Sequence, residues 1–284
     1  MSLVGRYLSL IKFEHTLFAM PFALISLLVA SDGRPPLRAL VWVVAAMVGA
    51  RTAAMAFNRL ADRHLDAGNP RTADRHLPAG TVSPAGAAAL TVLGAALLVL
   101  AAGMLNRLCL VLSPVALAVV LGYSFMKRIS AAAHLVLGLG LAIAPVGAWL
   151  AVRGSFAAFP LWLAGGVLFW VAGFDTIYGI QDADYDRRVG LHSLASRLGV
   201  GRALLLSRIF HVLAIAGVAG AFRRAEALGP VSLLGVAVMA GLLAWEQAIV
   251  QGGDMKHIDK AFFTINSWVG MVLLGIVLVD LYLV

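Results

Sequence analysis

Aspartates at helical spacing carry most of the chemistry this sequence offers. Two stretches, Asn58-Arg59-Leu60-Ala61-Asp62-Arg63-His64-Leu65-Asp66 and Asp175-Thr176-Ile177-Tyr178-Gly179-Ile180-Gln181-Asp182-Ala183-Asp184-Tyr185-Asp186, each end a long apolar run. Residues three and four apart share a helix face. Asn58, Asp62 and Asp66 therefore form one polar stripe and Asp175, Tyr178, Asp182 and Asp186 another, with Asp184 off it. Seven of the fourteen acids (Asp62, Asp66, Asp74, Asp175, Asp182, Asp184, Asp186) lie in or just after these stretches. Such a residue costs about 2.5–3.5 kcal/mol at the centre of a spanning helix and less toward its end, so a cluster there marks a function. Two stripes of carboxylates brought together would repel unless a cation lay between them, and all-oxygen ligands select a hard ion such as Mg²⁺. Because Mg²⁺ keeps several waters and binds through a few carboxylates plus substrate phosphate, the stripes imply a diphosphate substrate.

The basic residues fit that substrate. Arg59, Arg63, Arg71 and Arg75 flank the first stretch, Arg187 and Arg188 follow the second, and Lys127-Arg128 close another apolar run. Guanidinium forks match phosphate oxygens and stabilise a departing diphosphate, although loop charge alone would also place cations here. Arg51 differs, because it lies seven residues before Asn58 on the same helical face and well inside an apolar run. An unpaired guanidinium there is expensive, so Arg51 is expected to line a cavity and meet an acid or an anionic substrate group.

The elements that position these residues read as membrane spans. A chain of 284 residues that is 61% apolar and 13% charged, with a mean hydropathy of +0.92, cannot bury that much apolar surface in a water-soluble globule. The net charge of +8 comes from cations spread between apolar runs, which excludes a single nucleic-acid-binding patch. The one cysteine, Cys109, rules out an intrachain disulfide or a cysteine metal cluster. Nine runs have spanning length, at roughly 13–31, 39–60, 84–105, 108–125, 132–152, 159–180, 203–222, 228–250 and 262–283. The N-terminus shows no short apolar core followed by a small-residue cleavage site, so its first run is expected to be a retained span. The expected fold is all-α, a single domain over 1–284 with nine transmembrane helices around a central cavity.

With the N-terminus inside, fourteen Lys and Arg fall on the cytoplasmic side against six outside, which favours that orientation. Both acidic stretches then emerge on the cytoplasmic face, followed by the two longest polar segments, 67–83 and 187–201. Asn58, Asp62 and Asp66 also stand 120 positions before Tyr178, Asp182 and Asp186, as expected of an internal duplication.

Asn58-x3-Asp62-x3-Asp66 with downstream Asn69-Pro70-Arg71-Thr72, together with Asp175-x2-Tyr178-x3-Asp182-x3-Asp186, resembles the paired signature of the UbiA superfamily of intramembrane aromatic prenyltransferases. The resemblance spans the chain; where that family often has Asp after the first Asn, this sequence has Arg59. It implies a polyprenyl diphosphate donor held through Mg²⁺, an aromatic acid acceptor and an allylic cation between them. In those terms Asn58, Asp62, Asp66, Asp182 and Asp186 serve Mg²⁺, and Arg71, Arg75 and Lys127 grip diphosphate. Asp175 and Tyr178 shape the cation and acceptor end, and Arg51 meets an acceptor carboxylate. Lys12-Phe13-Glu14-His15-Thr16-Leu17-Phe18-Ala19-Met20-Pro21 resembles the start of the branch acting on hydroxybenzoate and related acids in quinone biosynthesis, which implies a substrate role for Lys12, Glu14 and His15 at the cytoplasmic mouth of a bacterial inner-membrane enzyme. The remaining histidines, His64, His76, His134, His192, His211 and His257, show no metal spacing and are read as structural or loop residues. Two other classes stay open: a secondary transporter, which also uses intramembrane acids, and a CDP-alcohol phosphotransferase, whose longer Asp-Gly and Ala-Arg pattern is absent.

Overall fold

The computed structural model describes residues 3–10, 16–251 and 258–283, and every regular element among them is helical. The helices are α1 (Leu3–Leu10), α2 (Thr16–Ala30), α3 (Leu37–Gly68), α4 (Pro84–Leu105), α5 (Arg107–Ile129) and α6 (Ala133–Arg153). They continue as α7 (Ala158–Gly179), α8 (Ala183–Arg188), α9 (Leu194–Leu198), α10 (Val200–Phe222), α11 (Val231–Ile249) and α12 (Asn266–Tyr282). Eight helical stretches among the described residues are long and apolar enough to cross a membrane, and Phe18–Ala30 is a shorter apolar helix. The first of the nine expected runs, 13–31, lies partly outside the described residues, as do Lys12, Glu14, His15, Lys256 and His257.

Two compact units divide the chain: Met1–Thr16 with Val41–Phe125, and Leu17–Leu40 with Met126–Val284. In the first, α3 runs unbroken for 32 residues, about 48 Å at 1.5 Å per residue, which exceeds a hydrocarbon layer of about 30 Å. Small residues let α3 and α4 approach: a Cβ on Gly49 would lie 2.7 Å from Leu98 N and 2.8 Å from Gly94 O. Ser83 starts α4, accepting from Gly86 N at 3.1 Å just before Pro84, and Asn106 Oδ1 accepts from Cys109 N at 2.9 Å to start α5.

In the second unit, α7 lies in the core, with Leu163, Val167, Trp170, Val171 and Phe174 buried against α2, α10 and α12 residues. Glycines again set the approach, since a Cβ on Gly217 of α10 would stand 2.6 Å from Gly166 Cα. Pro145 does not break α6, and its carbonyl accepts from Ser26 Oγ at 2.6 Å.

A polar chain crosses this apolar core. Trp170 Nε1 donates to Asn266 Oδ1 at 2.7 Å, and Asn266 Nδ2 donates to Glu246 Oε1 at 2.8 Å. His211 Nε2 faces Glu246 Oε2 at 3.9 Å, while Gln247 Nε2 donates to Ser207 Oγ at 2.8 Å and Ser207 donates to Gly173 O at 2.9 Å. Asn266 begins α12 directly after a π-helical turn, Lys260–Ile265.

Candidate functional site

The first motif occupies the last turns of α3, where Asn58 Nδ2 donates to Asp62 Oδ2 at 2.9 Å. This pairing realises the i, i+4 spacing and holds Asp62 in one orientation. Asn58 also reaches Ser124 Oγ of α5 at 3.5 Å, a residue the spacing argument did not single out. Asp66 is buried, and the segment after it folds back to enclose it. Thr72 Oγ1 donates to Asp66 O at 3.0 Å, Asn69 Oδ1 accepts from Arg71 N at 3.1 Å, and successive turns over 69–82 carry Arg75 to Asp66. Arg75 Nη1 meets Asp66 Oδ1 at 2.7 Å. Arg71 is exposed, and Arg51 is half-buried on α3.

The second motif departs from the continuous helical stripe its spacing predicts. α7 ends at Gly179, a 3-10 turn covers Ile180–Asp182, and α8 carries the rest. The tighter turn rotates the chain between Tyr178 and Asp182, yet Asp182 and Asp186 are still both buried. Asp184 points away: its side chain is 87% exposed and pairs with Arg187 at 3.1 Å, as expected of a residue off the stripe. Lys127 Nζ contacts Asp186 Oδ2 at 3.4 Å, so one expected diphosphate-binding cation stands beside one expected metal ligand. Tyr178 lies on the Phe262 ring at 4.2 Å between centroids, at the edge of a buried aromatic cluster that continues through Phe174, Trp170 and Phe18.

Two side chains here escaped the sequence reading. His134, read as structural, is buried in the first turn of α6 with Nδ1 on Asp175 Oδ2 at 2.7 Å. Its signal was available, because an ionisable residue in an apolar run is expensive without a partner. Gln181 Nε2 is buried without a hydrogen-bond partner among the described residues, and nothing in the spacing marked it.

Among the described residues no three His, Cys, Asp or Glu side chains form a group ready to hold a metal. Mg²⁺ does not require one, since it binds through one or two carboxylates and completes its shell with water and phosphate oxygens. Asp66 supplies the telling atom: Oδ1 is engaged by Arg75, while Oδ2 is buried with no hydrogen-bond partner among the described residues. A buried carboxylate oxygen left open is costly unless a ligand completes it. Each motif, taken by itself, offers carboxylate oxygens of the kind a hard cation takes.

A multi-pass helical membrane protein with two acidic, cation-rimmed motifs is the class that fold and site define. Residues 19–268 match the UbiA prenyltransferase family. The 4-hydroxybenzoate octaprenyltransferase of Vibrio cholerae serotype O1 is 32% identical over 259 residues, covering 90% of this chain and 89% of that protein. The enzyme of the same name from Shewanella woodyi is 31% identical over 281 residues, 98% of this chain and 97% of its own. Among solved structures, the apo form of a UbiA homolog from Aeropyrum pernix K1 superposes with a TM-score of 0.85 at 36% identity, covering 94% of this chain and 98% of that one. A UbiA homolog from Archaeoglobus fulgidus bound to DMAPP and Mg²⁺ shares the fold with a TM-score of 0.74 at 18% identity, over 96% and 99% of the two chains. The chain belongs to the UbiA prenyltransferase family, and it is an integral membrane prenyltransferase.

Proposed function

We propose that this protein transfers a polyprenyl group from polyprenyl diphosphate to 4-hydroxybenzoate or a related hydroxy-aromatic acid in quinone biosynthesis, with Mg²⁺ as cofactor. The observation that carries the reading is the open, buried Oδ2 of Asp66 beside the Arg75 guanidinium, a carboxylate and a cation set as a metal–diphosphate site needs. The names of the bacterial relatives supply the acceptor class, and the Archaeoglobus structure supplies the pairing of a prenyl diphosphate with Mg²⁺.

In this reading Asn58, Asp62 and Asp66 of the first motif and Asp182 and Asp186 of the second serve the ion, whose bound charge would stabilise the diphosphate as it departs. Arg71, Arg75 and Lys127 grip the diphosphate oxygens, with Arg75 and Lys127 exchanging part of their carboxylate contacts for phosphate. The bond between the allylic carbon and the diphosphate oxygen breaks, a ring carbon of the acceptor attacks the allylic carbon, and the ring then loses a proton. Tyr178 shelters the positive charge, and Asp175 orients the acceptor end. Arg51 meets the acceptor's carboxylate, and Lys12, outside the described residues, contributes to substrate binding. The chain acts as one domain of nine spans in the bacterial inner membrane, with both motifs toward the cytoplasm.

Purified protein incubated with labelled geranyl diphosphate, Mg²⁺ and a panel of hydroxybenzoates and hydroxynaphthoates tests this directly. Prenylated hydroxybenzoate is the expected product. Substrate counterflow in proteoliposomes without any prenylated product would replace the enzyme with a transporter.

A further inference from the structure

His134 takes no part in the chemistry above, yet its surroundings are built with care. Its ring is 1% exposed and sits where α6, α7 and the segment after α8 meet. Nδ1 lies 2.7 Å from Asp175 Oδ2, and on the opposite side Nε2 accepts from Leu194 N at 3.5 Å, a long hydrogen bond. An ionised carboxylate can only accept and a backbone amide can only donate, so the two contacts together require the proton on Nδ1 and a bare Nε2. The ring also rests on α7, where a Cβ added to Gly179 would stand 3.0 Å from His134 Cε1. Glycine at that position admits the imidazole.

Leu194 belongs to the polar segment that follows the second motif, and that segment is docked at further points. Leu191 N donates to Asp186 O at 2.8 Å, and His192 N donates to Lys127 O at 2.6 Å. Ser193, fully buried, closes a capping box with Ser196 at the start of α9, which fixes the direction of the Leu194 amide. One ring thus joins a motif carboxylate to a polar segment that is itself tied to Asp186 and to Lys127.

We infer that His134 is a positioning residue: it fixes the Asp175 carboxylate in one orientation and makes that orientation depend on docking of the segment around Leu194. The inference rests on the assignment of Asp175 to the acceptor end. When the segment is docked, the Leu194 amide holds the tautomer that donates to Asp175. When it is undocked, Nε2 loses its donor and the far side of the ring is no longer held, so the imidazole and the Asp175 carboxylate to which it donates are held less firmly.

The test measures steady-state kinetics with geranyl diphosphate and 4-hydroxybenzoate in detergent-purified protein, for His134→Ala, His134→Asn, Asp175→Asn and the double variant His134→Ala/Asp175→Asn. Misplacing an orienting group costs catalysis steeply, so His134→Ala is expected to lower kcat/KM for the acceptor about tenfold or more while leaving the KM for geranyl diphosphate in place. His134→Asn keeps an amide nitrogen where Nδ1 donates but has no atom at Nε2. It should recover acceptor kcat/KM to within about threefold of wild type while opening the segment to trypsin at Arg187, Arg188 and Arg197. In the Asp175→Asn background, His134→Ala should have almost no further effect on acceptor kcat/KM. A His134→Ala enzyme with wild-type acceptor kinetics beside an impaired Asp175→Asn would overturn the positioning role alone. Wild-type kinetics in Asp175→Asn would overturn the acceptor assignment and the inference with it. Additive losses, or equal losses in His134→Ala and His134→Asn, would reduce His134 to a packing residue.

Discussion

Replacing Asn266 with leucine isolates the polar chain in the membrane interior. Asn266 is fully buried, and its side chain accepts from Trp170 Nε1 at 2.7 Å and donates to Glu246 Oε1 at 2.8 Å. Leucine has nearly the same shape, so the cavity term is small and the cost comes from the two partners left behind. A buried group stripped of its partner costs about 1–3 kcal/mol in a water-soluble protein. Within a bilayer, measured interhelical bonds average only about 0.6 kcal/mol and reach about 1.7, because the unfolded state in the membrane also finds partners. The upper part of that range applies, since Glu246 Oε2, with only His211 Nε2 at 3.9 Å, already lacks a hydrogen bond among the described residues and the substitution strips Oε1 as well. Two bonds then amount to about 2–3 kcal/mol. Equilibrium unfolding in mixed micelles, followed by far-UV circular dichroism during an SDS titration, measures the loss. Trp170→Phe removes the indole donor, which costs stability in the wild-type background but relieves an orphan when Asn266 is already leucine. The two substitutions should therefore be non-additive by about 1 kcal/mol. An Asn266→Leu protein within about 0.5 kcal/mol of wild type, or strict additivity with Trp170→Phe, would refute the argument that this chain ties α7, α11 and α12 together.

The other expectations concern the motifs and one helix end. Asp62→Asn and Asp182→Asn should each lower prenyl transfer by at least about a hundredfold while the circular dichroism in detergent stays that of the wild type. Asp184→Ala should keep activity within about twofold and change stability by less than about 0.5 kcal/mol, because its exposed i, i+3 pair with Arg187 is worth little. Asp280→Ala should cost about 1 kcal/mol in the same SDS titration, since Asp280 Oδ2 accepts from Ser232 N at 2.9 Å in the first turn of α11.

Much of this was legible in the residues themselves. The 3.6-residue period placed Asn58 against Asp62 and left Asp184 outside the second stripe, and both are found in the structure. Run length gave the helices closely, with Pro84–Leu105 matching α4 end to end. Other features depend on contacts between residues far apart in sequence. The 3-10 turn at Ile180–Asp182 follows a glycine that admits the ring of His134, from an element more than forty residues earlier, and no local pattern signals that. Glu246 and His211 stand out as ionisable residues inside apolar runs, but their connection through Asn266 comes only from the packing of three helices. The fold of Arg75 onto Asp66 was legible in part. The spacing offered a cation near the acid, but the turns over 69–82 decided which arginine takes it.

Dependence of prenylation on a divalent ion tests the central claim most directly. Purified protein is stripped with a chelator, supplied with labelled geranyl diphosphate and 4-hydroxybenzoate, and assayed before and after Mg²⁺ is restored. Loss of prenylated product on chelation and its return with Mg²⁺ is the expected result. Transfer that continues at the same rate without divalent metal would contradict the assignment of these carboxylates to a metal-held diphosphate.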